Sequence, residues 1–205
     1  MNDLKRHAPA TLRNREPILA VLERVLPPEG LILELNSGSG EHAAFMAPRL
    51  APRRWQPSDI DAAARASIAA HAKETGAGNL LPPLEVDVST ENWPINHAAA
   101  LISINMIHIA PWDACLGLLN GAERLLAPDR GVFYLYGPFK RDGVHTAPSN
   151  EAFDRSLRMQ DSRWGVRDLE DVISEAESRS LKLSEIVEMP SNNLSVIFRK
   201  VPVAA

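Results

Sequence analysis

A single cysteine, Cys115, stands among the 205 residues of this chain, so neither an internal disulfide nor a multi-cysteine zinc site is available to it. No apolar stretch reaches the roughly 20 residues of a membrane-crossing helix. The polar opening Met1-Asn2-Asp3-Leu4-Lys5-Arg6-His7 has no apolar signal core behind it. No run of Lys or Arg forms, and 22 basic against 26 acidic residues leave a net charge of −4. That balance argues against nucleic acid as a partner. Internal repeats and low-complexity segments are also missing. The expectation is one cytoplasmic domain over residues 1–205, with a sizeable core, no membrane contact, no metal site and no signature of an oligomeric state.

What is present alternates. Glu16 to Leu26 spaces Ile18, Leu19, Leu22, Val25 and Leu26 as an amphipathic helix, with Pro17 in its first turn and Pro27-Pro28-Glu29-Gly30 as its stop. Leu31 to Leu35 is the opening strand, and a helix over about Glu41 to Leu50 follows. Arg54 to Ser58 reads as a second strand ending at Asp59-Ile60-Asp61. Asp61 is placed to cap an Ala-rich helix through Lys73, which Gly76-Ala77-Gly78-Asn79 terminates. Leu84 to Val88 is a third strand, and Gly131 to Tyr136 a fifth. Between them Ala98 to Ile104 is nearly continuous in apolar residues, as a fourth strand buried on both faces should be. Pro111 opens a helix with Leu116, Leu119, Ala122 and Leu126 along one face.

The end of the chain breaks this rhythm. Asp168 caps a helix carrying Leu169, Val172, Ile173 and Ala176. Leu181 to Met189 and Leu194 to Val201 are then joined only by Pro190-Ser191-Asn192-Asn193, too short for a crossover, so this pair is antiparallel. The pattern predicts an α/β fold. Its sheet is Rossmann-like, doubly wound and mostly parallel, with about seven strands and an antiparallel hairpin at the end.

The chemistry concentrates in Leu31-Ile32-Leu33-Glu34-Leu35-Asn36-Ser37-Gly38-Ser39-Gly40-Glu41-His42-Ala43. A strand that feeds a glycine turn at a helix start is a nucleotide-cofactor site, because the backbone can approach the ligand and present unpaired N–H groups. Gly38-x-Gly40-x-x-Ala43 also fits the dinucleotide fingerprint. Glu34 argues the other way. An anion there repels a pyrophosphate but favours the ammonium and sulfonium of S-adenosylmethionine. Asp59, 19 residues past Gly40, is placed for ribose hydroxyls of either cofactor. Glu34, Asp59 and Asp87 fall at the carboxyl ends of successive predicted strands, the edge where such sheets bind ligands.

Six segments carry a closer likeness: Arg13-Asn14-Arg15-Glu16-Pro17-Ile18-Leu19, Ser37 to Ala43, Trp55-Gln56-Pro57-Ser58-Asp59, Asn105 to Trp112, Tyr136-Gly137-Pro138-Phe139 and Arg163-Trp164-Gly165-Val166-Arg167-Asp168. Over about Leu31 to Val201 the chain resembles the class I S-adenosylmethionine-dependent methyltransferases. More closely, it resembles a small methyltransferase-like family catalogued as a domain of unknown function. The resemblance implies that Glu34 is the first-motif acid and that Gly38 and Gly40 lie under the methionine and ribose portions of the cofactor. It makes Asp59 the ribose acid with Ile60 beside it, Asp87 and Val88 the adenine readers, and Asn105 a border of the methyl donor. Asn36 departs from the pattern, standing where the superfamily has its first glycine. If that position needs positive φ, asparagine is the least costly replacement.

Methyl transfer asks the protein for alignment, desolvation and sometimes a base. His108 is the candidate base, and Tyr136 and His145 flank the fifth strand as candidate pocket walls. His42 and Cys115 read as structural. The turn Asn105-Met106-Ile107-His108 lacks the Pro-Pro-aromatic pattern of adenine and glutamine N-methylation, and Cys115 lacks the Pro-Cys setting of cytosine chemistry. The stretch 139–165, with a helix over about Asn150 to Gln160, is expected to form a lid. The leading expectation is a methyltransferase for a small, unidentified acceptor. A non-catalytic S-adenosylmethionine-binding partner or sensor and a nicotinamide oxidoreductase stand as alternatives.

Overall fold

The computed structural model describes residues 4–202. Its first half runs α1 (Pro9–Val25), β1 (Leu31–Leu35), α2 (Glu41–Arg49), β2 (Arg54–Pro57), α3 (Ala62–Thr75), β3 (Ala100–Ile104) and α4 (Trp112–Leu125). Then come β4 (Val132–Gly137), β5 (Lys140–Arg141), β6 (Val144–His145), α5 (Pro148–Gln160), α6 (Leu169–Glu177), β7 (Leu181–Met189) and β8 (Asn193–Lys200). Six strands form one sheet in the order β2-β1-β3-β4-β8-β7. The first four are mutually parallel, and β8 and β7 close the sheet as an antiparallel pair. This is the predicted doubly wound sheet with its terminal hairpin.

The pleat sends alternate residues of each strand to opposite faces, and both faces are covered. On one, α1 and α2 bury Ile32, Ala100, Ile102 and Tyr134; on the other, α4 and α6 bury Leu33, Leu101, Phe133 and Phe198. Each large side chain buried this way contributes about 1.5–3 kcal/mol. Asp61 caps α3 by accepting from the Ala63 N–H, and Gly76 ends that helix at φ 63°, as the sequence predicts. Among the described residues, no helix is long and apolar enough to cross a membrane.

The structure departs from the sequence reading in three places. The predicted strand over Leu84 to Val88 is absent, which leaves six strands in the sheet. Residues 79–84 instead follow β2 through isolated bonds, Leu81 N–H to Trp55 O (2.9 Å) and Leu84 N–H to Pro57 O (3.0 Å) among them. Pro82 and Pro83 have no N–H to donate, so the ladder breaks between those bonds and the sheet ends at a blunted edge. Second, α1 begins at Pro9 rather than Glu16, which puts Pro17 inside the helix and not in its first turn. Thr11 and Asn14 lie on its buried face, and these polar residues interrupt the apolar spacing. Third, β5 and β6 form a small hairpin between β4 and α5 that the sequence reading did not include.

Gly40, the residue before α2, has φ 88°, and a Cβ there would meet the Ile68 Cα at 2.6 Å. The turn is thereby seated directly on α3. Gly40→Ala is expected to lose about 2–4 kcal/mol through left-handed strain and overpacking, read as a lower urea midpoint at unchanged m-value.

Candidate active site

In the order β2-β1-β3-β4 the chain leaves β1 and β3 toward opposite sides, so a crevice opens at their carboxyl ends. Asn36 follows β1 and Asn105 follows β3, at φ 55° and 62°. Both are non-glycine residues in the left-handed region, which asparagine tolerates best. The position where the sequence carries asparagine in place of glycine therefore does require positive φ.

The glycine turn is knitted to the end of β2. Ser37 N–H donates to Ser58 O (2.9 Å), and Gly38 N–H donates to Asp59 Oδ2 (3.0 Å). Asp59 Oδ1 accepts from Asp61 N–H (2.9 Å). The amide that a pyrophosphate would need is thus already covered by a carboxylate. Ser67 Oγ bonds the Ser39 carbonyl and accepts from Arg6 N–H, both at 2.7 Å. Glu41 holds Ala8 N–H at 2.6 Å and His7 Nδ1 at 3.1 Å, so residues 6–8 strap the turn from outside.

Glu34 lies beneath this turn, only 2% exposed. Trp55 Nε1–H donates to its Oε2 at 2.9 Å. Burial pushes its carboxyl up to about 7 against the hydrogen bonds from Trp55 and Ser37, and the nearby charge of Asp59 pushes the same way. The carboxylate expected beside the glycine turn is therefore floor rather than contact surface. Ile60, next to Asp59, is 53% exposed, an unusual setting for isoleucine. Asp87 is half-buried and its Oδ1 accepts from Ser89 N–H and Oγ–H at 2.9 and 2.6 Å. Val88 turns its side chain into the core, and its carbonyl faces Gly117 of α4.

Beyond Asn105 a cavity of about 580 Å³ opens between α1, the ends of β3 and β4, α5 and the β7–β8 turn. Arg13, Asn14, Asn105, Tyr136, Phe153 and Asn193 are among its walls. Asn105 N–H donates to the Tyr136 carbonyl at 2.7 Å, which joins two of those walls. His42 Nε2 lies 2.9 Å from Asn14 Oδ1, and the Asn14 side chain hydrogen-bonds the Tyr136 hydroxyl. Burial lowers His42 to about 4, so a neutral ring donates to the Asn14 oxygen and leaves the amide N–H for Tyr136. Burial raises the Tyr136 pKa, while the Asn14 bond and the Arg13 charge oppose that shift.

The candidate base is placed differently. The His108 ring is fully buried, and burial followed by the Arg167 charge takes its pKa to about 3. It packs against Phe139 and beneath Gly137, where a Cβ would come within 2.5 Å of Nε2. Its Nδ1 receives the Arg167 N–H at 3.4 Å. A ring enclosed this way is shielded from solvent, and its buried Nε2 has no hydrogen-bond partner among the described residues. His145 faces Asp154 at 3.6 Å and is not among the cavity walls. Cys115 is buried, its thiol pushed up to about 12 by burial, and belongs to the core. The sequence alone gives Arg13 and Asn14 no role. The available signal was a polar residue, Asn14, in register with Ile18, Val21 and Val25 on one helix face.

The family model described as "Protein of unknown function (DUF938)" matches residues 5–200. Similar solved structures include an O-methyltransferase family protein from Burkholderia thailandensis, at 14% identity and TM-score 0.80, covering 95% of this chain and 58% of that one. An O-methyltransferase family 2 protein from Planctomyces limnophilus, in complex with apigenin, matches at 17% identity and TM-score 0.81, covering 94% and 58%. Human N-acetylserotonin methyltransferase, in complex with SAM, matches at 15% identity and TM-score 0.74, covering 94% and 53%. The chain spans little more than half the length of these proteins. At such identities the likeness shows the fold alone, one that these methyltransferases share.

Glu34 also makes stability depend on pH. Its folded pKa of about 7 lies above the ordinary 4.5, so the folded state binds the extra proton and loses stability as pH rises through that window. The depressed pKa values of His42 and His108, about 4 and about 3, act with opposite sign up to about 6.5. The Glu34 contribution is therefore isolated as the difference between Glu34→Gln and the native chain. In urea titrations from pH 5 to 8 the variant is expected to gain about 2–3 kcal/mol relative to the native chain.

Proposed function

The chain belongs to the DUF938 family, and we propose that it is an S-adenosylmethionine-dependent methyltransferase acting on a small-molecule acceptor. The observation that carries this reading is the Asp59 carboxylate on the Gly38 amide, 3.0 Å away, in a turn with Glu34 buried below it. That donor set disfavours phosphate and suits a ligand with a ribose diol and cationic groups. The residues present therefore fit S-adenosylmethionine better than a nicotinamide dinucleotide.

In this reading Asp59 holds the ribose, and Ile60, Asp87 and Val88 hold the adenine. Asn36, Gly38, Gly40 and Asn105 border the methionine end, with Glu34 stabilising positive charge from beneath. The cofactor supplies an electrophilic methyl group on a sulfonium. The chain's own part is to align the acceptor and exclude water. The cavity beyond Asn105 receives the acceptor, and Tyr136, fixed by Asn14 and His42, orients it. The 139–165 segment serves as a lid through α5, which contributes Ser149, Asn150 and Phe153 to the cavity wall. His108 supports this wall by holding Gly137 and Phe139 in place.

Calorimetry tests the reading. Saturable binding of S-adenosylmethionine without binding of NAD is expected, and the reverse would end it. Asp59→Ala is expected to weaken cofactor binding by about 1–3 kcal/mol, through loss of a charge-assisted hydrogen bond. An unchanged dissociation constant in that variant would remove the ribose assignment.

A further inference from the structure

We propose that the acceptor is a small carboxylic acid with a flat apolar body, and that Arg13 receives its carboxylate. This rests on the methyltransferase reading and names the substrate class for the same cavity.

Arg13 is the only charged side chain among the cavity walls, and no acid faces it there. It is exposed and forms no ion pair among the described residues. The carboxamides around it are largely spent on the walls themselves. Asn150 Nδ2 donates to Thr146 Oγ1 (3.0 Å) and Asn192 O (2.9 Å). Asn193 Nδ2 donates to Pro190 O (3.1 Å) and Ser191 O (3.3 Å), and Asn14 serves His42 and Tyr136. The Arg13 guanidinium and the Asn105 side chain are left for a ligand, and the Tyr136 hydroxyl, which accepts from Asn14, keeps its own proton to donate.

Their polarity selects an anion. A cationic acceptor would approach an unpaired guanidinium with no carboxylate to receive it. The 13-residue helix α5 starts at the same cavity, with Ser149 in its first turn, and adds the positive end of its dipole. One planar guanidinium matches the two oxygens of a carboxylate, whereas a phosphate dianion calls for more positive charge. Between the Asn and Ser side chains of the lining, Ala10, Pro138, Phe153 and Pro190 supply apolar surface. Phe153 is 38% exposed, and Pro138 and Pro190 stand around the same space. Its volume, about 580 Å³, is that of a small-molecule site.

The test is ¹⁹F NMR on the protein saturated with S-adenosylhomocysteine, titrated with 4-fluorobenzoate, 4-fluorobenzylamine and 4-fluorophenyl phosphate. Saturable broadening of 4-fluorobenzoate is expected, with binding at least about tenfold tighter than that of the other two probes. Arg13→Gln should abolish that preference and bind S-adenosylhomocysteine as tightly as the native chain. Because Arg13 is exposed, the variant should fold normally, as circular dichroism will show. Preference for the amine or the phosphate, absence of 4-fluorobenzoate binding, or unchanged benzoate binding in Arg13→Gln overturns the proposal. Loss of S-adenosylhomocysteine affinity in that variant overturns it too, because the guanidinium then serves the cofactor's own carboxylate. Failure of the native chain to bind S-adenosylmethionine or its product defeats the methyltransferase reading itself, an outcome distinct from loss of benzoate binding alone.

Discussion

β1 and β3 are neighbours in a parallel sheet, yet their chains leave in opposite directions, and every other feature of the site follows from that divergence. It opens a crevice that no side chain of the sheet fills. It also forces the backbone to turn sharply on both sides, and the two left-handed asparagines, Asn36 and Asn105, are the local answer to the same demand. The glycine turn then needs support from outside the sheet. Asp59 supplies it from β2, and Ile68 of α3 packs under Gly40 so closely that no side chain fits.

The crevice is divided electrostatically. Around the glycine turn the charge is acidic, with Asp59 buried against the Gly38 amide and Glu34 in the floor, and their mutual repulsion helps to raise the Glu34 pKa. Among the described residues, the only charged side chain lining the cavity beyond Asn105 is Arg13. Under the proposed function, a positively charged methyl donor would meet the first region and an anionic acceptor the second, so each ligand would meet the sign it prefers. The hydrogen-bonded run from His42 through Asn14 to Tyr136 links helix α2 to the wall of the cavity beyond Asn105. Burial keeps His42 uncharged, which fixes the direction of that run.

Much of this was readable in the sequence where a residue acts locally. Asp61 caps α3, Gly76 ends it and Asp168 caps α6 by accepting a neighbouring backbone amide, as the residue types imply. Asn36 was legible as a left-handed position because it replaces glycine in a glycine pattern. The start of α1 was not, since Thr11 and Asn14 look like surface residues until the sheet is in place beneath them. The strand expected over Leu84 to Val88 had the right alternation, but the two prolines before it remove the bonds a ladder needs. His108 shows the same limit. Its distance from Asn105 along the chain suggested a base, but burial beneath Gly137 decides its state.

By itself the sequence determined the order of most helices and strands, the antiparallel hairpin, and Glu34 and Asp59 at the ends of β1 and β2, because each depends on local periodicity or on a short connection; Asp87 follows no strand. Only the tertiary structure decided which of those acids reach the crevice, that Arg13 and Asn14 join it from the helix before β1, and that His108 does not. Exposure and charge environment belong to the packed assembly of elements. They are set by neighbours distant in sequence, and no local pattern of residues encodes them.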